Sequence, residues 1–452
     1  MTDPLETLKT SIQTLAEAKK YVTLRDILST MNAADIAYLF EDNMREEIIP
    51  LLYRLLPKEL AADTFVEMDP ETQQLLIRGF SDNELKEVVD ELYVDDAVDL
   101  VEEMPANVVK RILSQADAEK RRMINTILKY PEDSAGSIMT TEFVELRPHM
   151  TVEDAILHIR RSGINKETIN NCYVSSKDRK LMGVVTIRRL ILAEPEETME
   201  ELMEENIISV NTMEDQETVA QQFSKYNLIA MPVVDGENRL VGIVTVDDVL
   251  DVLEEEVTED IEKMAAIVPS EKPYFRQSIF DLWKSRIPWL LLLMISATFT
   301  GIIITGFEES LAKYVVLTAY IPMLMDTGGN SGSQASVTII RGISLNEIEF
   351  KDIFRVMWKE IRVALMCGVT LAICNFAKLM LFDRLTFLVA LTICFTLIVT
   401  VFIAKLVGCT LPLVAFRLGF DPAVMASPFI TTIVDAISLL VYFQFATRLL
   451  GL

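Results

Sequence analysis

Asp435 is a carboxylate set inside an apolar run. From Pro422 to Leu450 the chain reads PAVMASPFITTIVDAISLLVYFQFATRLL, long enough to cross a bilayer with some tilt. A charge at bilayer depth costs at least about 2.5–3.5 kcal/mol on insertion scales, so such a residue faces a protein interior or a water-filled path. Ser427, Thr431, Asp435 and Ser438 follow at i, i+4, i+8 and i+11, one stripe of a helix. A second run, Pro322-Met-Leu-Met-Asp-Thr-Gly-Gly-Asn-Ser-Gly-Ser-Gln334, puts Asp326, Asn330 and Gln334 on a stripe of their own if the helix is continuous. Gly328 and Gly332 on the adjoining face admit another backbone closely. Alternatively, the glycines break the helix and turn carbonyls toward a cavity. Helix-to-helix polar glue is the plainer account of Asp435, but packing explains the glycines and not two carboxylates at depth.

Every donor in these stripes is an oxygen. Such sets suit hard cations, Mg2+, Ca2+ or Mn2+, and give no purchase to soft metals. Mg2+ keeps most of its water and is held by one or two carboxylates. One Asp435 per chain is a thin site; two across the axis of a homodimer would suit a hydrated divalent ion. The only histidines are His149 and His158, and Cys367, Cys374, Cys394 and Cys409 lie in the apolar half, where cysteine acts as a small hydrophobe. Neither a zinc site nor a disulfide framework is expected. No nucleophile–base pair, Walker loop or hydrolase spacing stands out, so an enzyme is not expected.

The charge is split. Residues 273–452 hold 14 Lys+Arg against 11 Asp+Glu, whereas residues 1–272 hold 28 against 56. An acidic soluble half suits cations and basic partners and is wrong for nucleic acid or anionic lipid. The start, MTDPLETLKT, lacks a basic and then an apolar stretch, so no signal peptide is expected and the first 270 or so residues are placed in the cytosol.

The expected fold is multidomain, α and α/β. Residues 1–132 read as an all-α superhelical domain: apolar doublets at helical spacing are interrupted by Leu56-Pro57, Asp69-Pro70, Ser81, Val94–Asp96 and Met104-Pro105. Ser81–Glu84 has the form of a capping box, and Pro70 suits a first helical position. Then the period changes. Gly183-Val-Val-Thr-Ile187 and Gly242-Ile-Val-Thr-Val246 are near copies 59 residues apart, each after a strand-like run (Asn171–Ser175, Met231–Asp235) and a helix opened by Thr-Val (Thr151-Val152, Thr218-Val219). This duplication resembles a tandem α/β CBS pair, at 133–198 and 199–256. The resemblance implies an adenosine-nucleotide site, with Thr245 and Asp248 as its Ser/Thr and Asp in the second copy. The first copy has Thr186 but Arg189 where the Asp would stand. A CBS pair without nucleotide is the alternative.

A carboxylate-dense run, Asp247–Asp260, leads into a connecting helix over 257–286. Carboxylates so close repel one another unless cations intervene. Residues 287–452 then form a helical transmembrane domain of five spans, at 287–307, 314–340, 361–382, 385–411 and 422–450. Lys284, Arg286, Arg341, Lys351, Arg355, Lys359 and Arg417 flank one side, against Lys313, Lys378 and Arg384 on the other. That bias puts the N-terminus in the cytoplasm and the C-terminus outside.

On Met325–Gln334 (MDTGGNSGSQ), Asp421–Asp435 (DPAVMASPFITTIVD) and the order of its parts, the chain resembles the MgtE family of bacterial magnesium channels. The resemblance implies a homodimeric, Mg2+-selective channel of the plasma membrane, with the pore between the second and fifth spans and Asp435 as its selectivity carboxylate. Asp326, Asn330, Ser427 and Thr431 join it as pore candidates. It further implies that Mg2+ on the cytosolic domains closes the pore through the connecting helix. The acidic ligands it maps here are Asp95, Asp99, Asp215, Glu217, Asp248, Asp251, Glu256, Glu259 and Asp260. Asn227 stands where one more would be sought. ATP enters as a ligand of the CBS pair. The alternatives are a CBS-regulated carrier for Mn2+, Co2+ or an anion, and a membrane-anchored metal or nucleotide sensor that transports nothing.

Overall fold

A computed structural model describes residues 4–41, 44–270, 274, 277–425 and 427–451. The chain divides into two compact units, Met1–Val252 and Leu253–Leu452.

The first unit opens with helices α1 (Pro4–Glu17), α2 (Tyr21–Leu28), α3 (Ala33–Glu41), α4 (Ile49–Tyr53), α5 (Lys58–Val66), α6 (Pro70–Gly79), α7 (Asp82–Glu91), α8 (Val94–Glu103), α9 (Ala106–Gln115) and α10 (Ala118–Ile127). They stop where the sequence supplies caps. The Asp69 carboxylate accepts from the N–H groups of Glu71 and Thr72, and Pro70 takes the first helical position. The box at Ser81 is closed both ways, Ser81 N–H to Glu84 Oε2 at 2.7 Å and Glu84 N–H to Ser81 Oγ at 3.3 Å. Their inward faces, Leu76, Leu85, Val89, Val98 and Ile112 among them, are wholly buried.

Two sheets of one design follow. The elements are β1 (Val144–Leu146), α11 (Val152–Ser162), β2 (Asn171–Ser175), β3 (Leu181–Thr186), α12 (Ile187–Leu192), α13 (Met199–Leu202), β4 (Val210–Asn211), α14 (Gln216–Tyr226), β5 (Ala230–Val234) and β6 (Leu240–Thr245). β1 pairs parallel with β2, and β2 antiparallel with β3; β4, β5 and β6 repeat this. The duplicated glycines have a steric cause. A Cβ on Gly183 would lie 2.6 Å from Met203, and one on Gly242 2.6 Å from Met139 Sδ. At each, an extra segment crosses the strand, Glu204 against Val184 and Thr140 against Ile243. Thr151 caps α11 as expected, but Thr218 does not open its helix: α14 starts at Gln216, capped by Asp215. Asn227 ends α14 in the left-handed conformation (φ 52°), where asparagine is favoured.

α15 (Val246–Met264) starts in the first unit and ends in the second. It stops at Met264, and the next long helix begins at Ile279. The second unit continues with α16 (Ile279–Gly306), α17 (Glu308–Lys313), a 3-10 stretch at Val315–Tyr320, α18 (Ile321–Ser344), α19 (Ile353–Leu381), α20 (Phe387–Arg417) and α21 (Ser427–Leu450). Among the described residues, four helices are long and apolar enough to cross a membrane: Ile279–Gly306, Phe350–Leu381, Phe387–Arg417 and Ala423–Leu450. α18 is not among them, because its polar and glycine positions dilute its apolarity. The core of this unit joins Leu317, Leu324, Ile393, Leu397, Leu439 and Phe443.

Candidate cation sites

α18 is one continuous helix, so its glycines do not break it. They are packing positions, and the contacts are within this chain. A Cβ on Gly328 would lie 2.7 Å from Thr400 Cγ2 and 2.9 Å from Val434 Cγ1; on Gly329, 2.8 Å from Thr431 Cγ2; on Gly332, 2.6 Å from Ile430 Cγ2. α20 and α21 therefore occupy the glycine face, and the backbone that Gly332 admits closely is that of Ala404 in this same chain. The side of α18 left open carries Asp326, Asn330 and Gln334, all three exposed.

α21 lies along that helix. Asp435 is half-buried, and Asp326 is near enough to repel it. Thr431 turns its methyl onto Gly329 and donates its hydroxyl to the Pro428 carbonyl at 2.9 Å. Ser438 is buried against Gly328. The α21 stripe is thus divided: the Thr431 methyl and Ser438 face the packing seam while Asp435 stays with Asp326. The Ser427 side chain lies outside the described residues.

A second concentration of carboxylates forms inside the first unit, where α8 meets the start of α15. Asp95 is buried, and burial followed by Asp248, Asp96 and Glu167 pushes its pKa well up. Burial likewise raises Asp96 to about 6, and burial with Asp96, Asp248 and Asp247 nearby raises Glu167 to about 8. Asp248 is raised to about 7 by burial, against the hydrogen bonds that Thr245 gives it. Thr245 Oγ1 donates to Asp248 Oδ2 at 2.6 Å, so these two cap α15. Asp99, beside Asp248, keeps an exposed side chain, and water screens the repulsion it feels. Glu142 accepts from Val94 N–H at 2.9 Å and anchors the first turn of α8. The ammonium of Lys120 is drawn off to the carbonyls of Leu92 and Asp90. Glu167 Oε2 is buried with no hydrogen-bond partner. Like charges held at close quarters with an orphan oxygen fit a divalent cation with its water, not an apolar ligand. Among the described residues, no three His, Cys, Asp or Glu groups close into a ready-made cage.

The end of α15 meets the second unit's own helices. Lys263 Nζ lies 2.7 Å from Asp421 Oδ2 and 2.6 Å from Glu259 Oε1. Asp260 is raised by burial and then by Asp421, against a hydrogen bond from Ser344, the last residue of α18. Met264 packs on Ile340 and Ala423. One helical turn and a half therefore touches both α18 and the lead-in to α21.

Three family models match parts of the chain: a divalent cation transporter at 321–445, an MgtE intracellular N domain at 13–133, and CBS domains at 135–196 and 199–255. The magnesium transporter MgtE of Thermus thermophilus is 36% identical over 449 residues, 98% of this chain and 99% of that protein. The chain belongs to the MgtE family. The Bacillus subtilis magnesium transporter MgtE is 32% identical, covering 94% of this chain and 93% of that one. A crystal structure of the cytosolic domain of the Mg2+ channel MgtE in complex with ATP superposes with a TM-score of 0.52 at 35% identity, over 54% of this chain and 99% of that one.

Of the residues singled out in the sequence as MgtE-type acidic ligands, the structure brings Asp95, Asp99 and Asp248 together, and Glu259 and Asp260 at the far end of α15. Asp215 is an N-cap, accepting from Glu217 N–H at 2.9 Å, and Glu217 accepts from Gln221. Asp251 and Glu256 lie on α15 between the two groups. Sequence reasoning missed Asp96, Asp247, Glu142 and Glu167 in the first cluster, and Lys263, Asp421 and Ser344 in the second. Asp96 and Asp247 stood beside named residues. Glu167 gave no signal, since it belongs to the irregular stretch between α11 and β2.

Proposed function

We propose that the chain is a Mg2+-selective channel or transporter of the plasma membrane, a multi-pass homodimer that imports Mg2+ and is closed by Mg2+ bound to its acidic cytosolic part. The observation that carries the reading is the open stripe of Asp326, Asn330 and Gln334 on α18, with Asp435 alongside. Three polar side chains facing lipid would be costly, so a second copy or a water path must cover them. α18 is then the second of five spans, its 24 residues rising about 36 Å. The N-terminus is cytoplasmic, the C-terminus outside, and the N-terminal helices stack as a superhelix. Asp435 binds the ion, and Asn330 and Asp326 lead to it.

Closure follows from the other two acidic groups. Mg2+ shared by Asp95, Asp99 and Asp248, with Asp96 and Glu167, removes the repulsion between α8 and α15. Glu256, Glu259 and Asp260, together with Asp251, Asp215 and Glu217, supply further regulatory carboxylates. Three or four bridging ions, each worth about 1.5 kcal/mol of coupling, reach the roughly 5.5 kcal/mol that swings a gate from almost fully open to almost fully closed. ATP at the CBS pair, near Thr245 and Asp248, is supported by the relative's complex. Uptake of Mg2+ by liposomes holding the purified protein tests the whole reading. Wild type must transport and Asp435→Ala must not, and competition by Mn2+ and Co2+ in the same vesicles identifies the preferred ion.

A further inference from the structure

Glu360 of α19 and Lys405 of α20 belong to neither cation site. Their side chains are 12% and 6% exposed, and Lys405 Nζ lies 3.7 Å from Glu360 Oε2. Glu360 Oε2 is buried without a hydrogen-bond partner. Two charges withdrawn from water for one long contact make a poor stabiliser, and the best-attested use of such a pair is to fix a register. α20 needs one. It is the most apolar of the four candidate spans, with mean hydropathy 2.8, so its apolar surface alone offers similar packing at several positions along its axis.

The placement of the pair shows what the register governs. α20 has two seams. Toward α19 it presents Ile398 and, two turns on, Lys405; a Cβ on Gly368 would lie 3.3 Å from Ile398 Cα, and Glu360 takes Lys405. Toward α18 it presents Thr400, Ala404 and Gly408. A Cβ on Gly332 would lie 3.2 Å from the Ala404 carbonyl, and one on Gly408 only 2.2 Å from the Gly332 carbonyl. There is no room for even a methyl group between the two backbones, so α18 and α20 interlock at this point. Lys405 follows Ala404 directly, so the two seams are joined at one point of the helix.

We infer that Glu360 and Lys405 are positioning residues: their ion pair fixes α20 against α19, and through the Ala404–Gly332–Gly408 contact it holds the Asp326–Asn330–Gln334 stripe of α18 in place. The flux readout of this inference rests on the transport reading above; the labelling readout does not.

The test uses the full-length protein in liposomes, comparing Glu360→Gln, Lys405→Met, the double neutral variant, and the exchanged pair Glu360→Lys/Lys405→Glu. Mg2+ flux is measured per folded protein. In a background with the native cysteines replaced, the reaction of Asn330→Cys with a small methanethiosulfonate reports the position of α18. The double neutral variant buries no charge, and replacing a buried pair in this way is often neutral for stability, so with its folding checked by thermal melting it separates register from stability. Flux is expected to fall about tenfold or more in both single variants and in the double neutral one, with a changed labelling rate at position 330. The exchanged pair recovers both. A folded double neutral variant with wild-type flux and labelling would overturn the inference, as would a folded exchanged pair that recovers neither. If wild type fails to carry Mg2+ while the labelling pattern holds, the transport reading falls and the positioning role stands.

Discussion

Lys263 and Asp421, 158 residues apart in sequence, form an ion pair of 2.7 Å that ties the last turn of α15 to the lead-in of α21. Asp421 uses its other oxygen to accept from Ala423 N–H at 2.8 Å, so it is fixed from both sides. Burial opposes the charge on Lys263, but hydrogen bonds to Asp421 and Glu259 prevail and hold the ammonium above its ordinary pKa. The contact gives α15 a grip on the helix that carries Asp435.

Breaking that grip is expected to favour the open state. Lys263→Met or Asp421→Asn should raise the internal Mg2+ needed for half-closure by about five- to tenfold, the lower end of ordinary coupling energies, because both side chains are partly in water. Flux from vesicles loaded with graded Mg2+ measures it. Half-closure at the wild-type concentration would show that the pair is ornamental.

The acidic cluster predicts a pH dependence in the metal-free protein. Asp96, Asp248 and Glu167 have folded pKa values raised to about 6, 7 and 8. Unfolded, such groups titrate near pH 4, so between about pH 4 and 8 the folded state binds more protons. Stability therefore is full below that window and falls as pH rises through it. Melting of the chelated protein should drop from pH 5.5 to about 8, and saturating Mg2+ should flatten the slope, since the ion takes the place of the protons. Glu167→Gln should flatten it without metal. Equal slopes with and without Mg2+ would mean that the ion binds elsewhere.

The α18 seams predict which glycines are intolerant. Gly408→Ala puts a methyl 2.2 Å from the Gly332 carbonyl, a backbone atom that cannot rotate away. Gly236, with nothing within 4 Å, is the matched control. Overpacking of this kind typically costs about 1–3 kcal/mol, and Gly408→Ala should exceed that range because backbone must move. Thermal melting in detergent compares the two variants.

What was legible in the sequence was whatever a local period could carry. The stripe of Asp326, Asn330 and Gln334 follows from helical spacing, the capping box at Ser81 from four consecutive residues, and the CBS pair from a repeat, whereas the stripe expected around Asp435 is divided by the packing of Thr431 and Ser438 on α18. The Glu360–Lys405 pair was not legible. Lys405 stood alone in an apolar run and Glu360 beside the expected start of the preceding span, and only the antiparallel packing of α19 on α20 brings them together. The glycine face of α18 was read correctly as close-packing, but that α20 and α21 cover it was not legible, because spacing reveals a face and not what covers it. By apolarity alone four helices among the described residues qualify as spans, for a related reason: α18, which carries Asp326, Asn330 and Gln334, is the poorest in hydropathy.

The two carboxylates of the proposed pathway should not be equivalent. Asp435 is half-buried between α18 and its own helix, whereas Asp326 is exposed on the open stripe. Repulsion between them is relieved by a cation, and the more buried group gains more from it because less water screens the attraction. Asp435→Asn keeps the shape and removes the charge, so Mg2+ flux should fall to background while the protein stays folded. Asp435→Ala should do the same and melt no lower, since it deletes a buried charge. Asp326→Asn should leave measurable flux at a raised half-saturating Mg2+, as expected of a group that gathers ions at an entrance rather than stripping their water. Concentration-dependent uptake in liposomes separates the two patterns. If Asp326→Asn is dead and Asp435→Asn conducts, the ion-binding carboxylate is on α18.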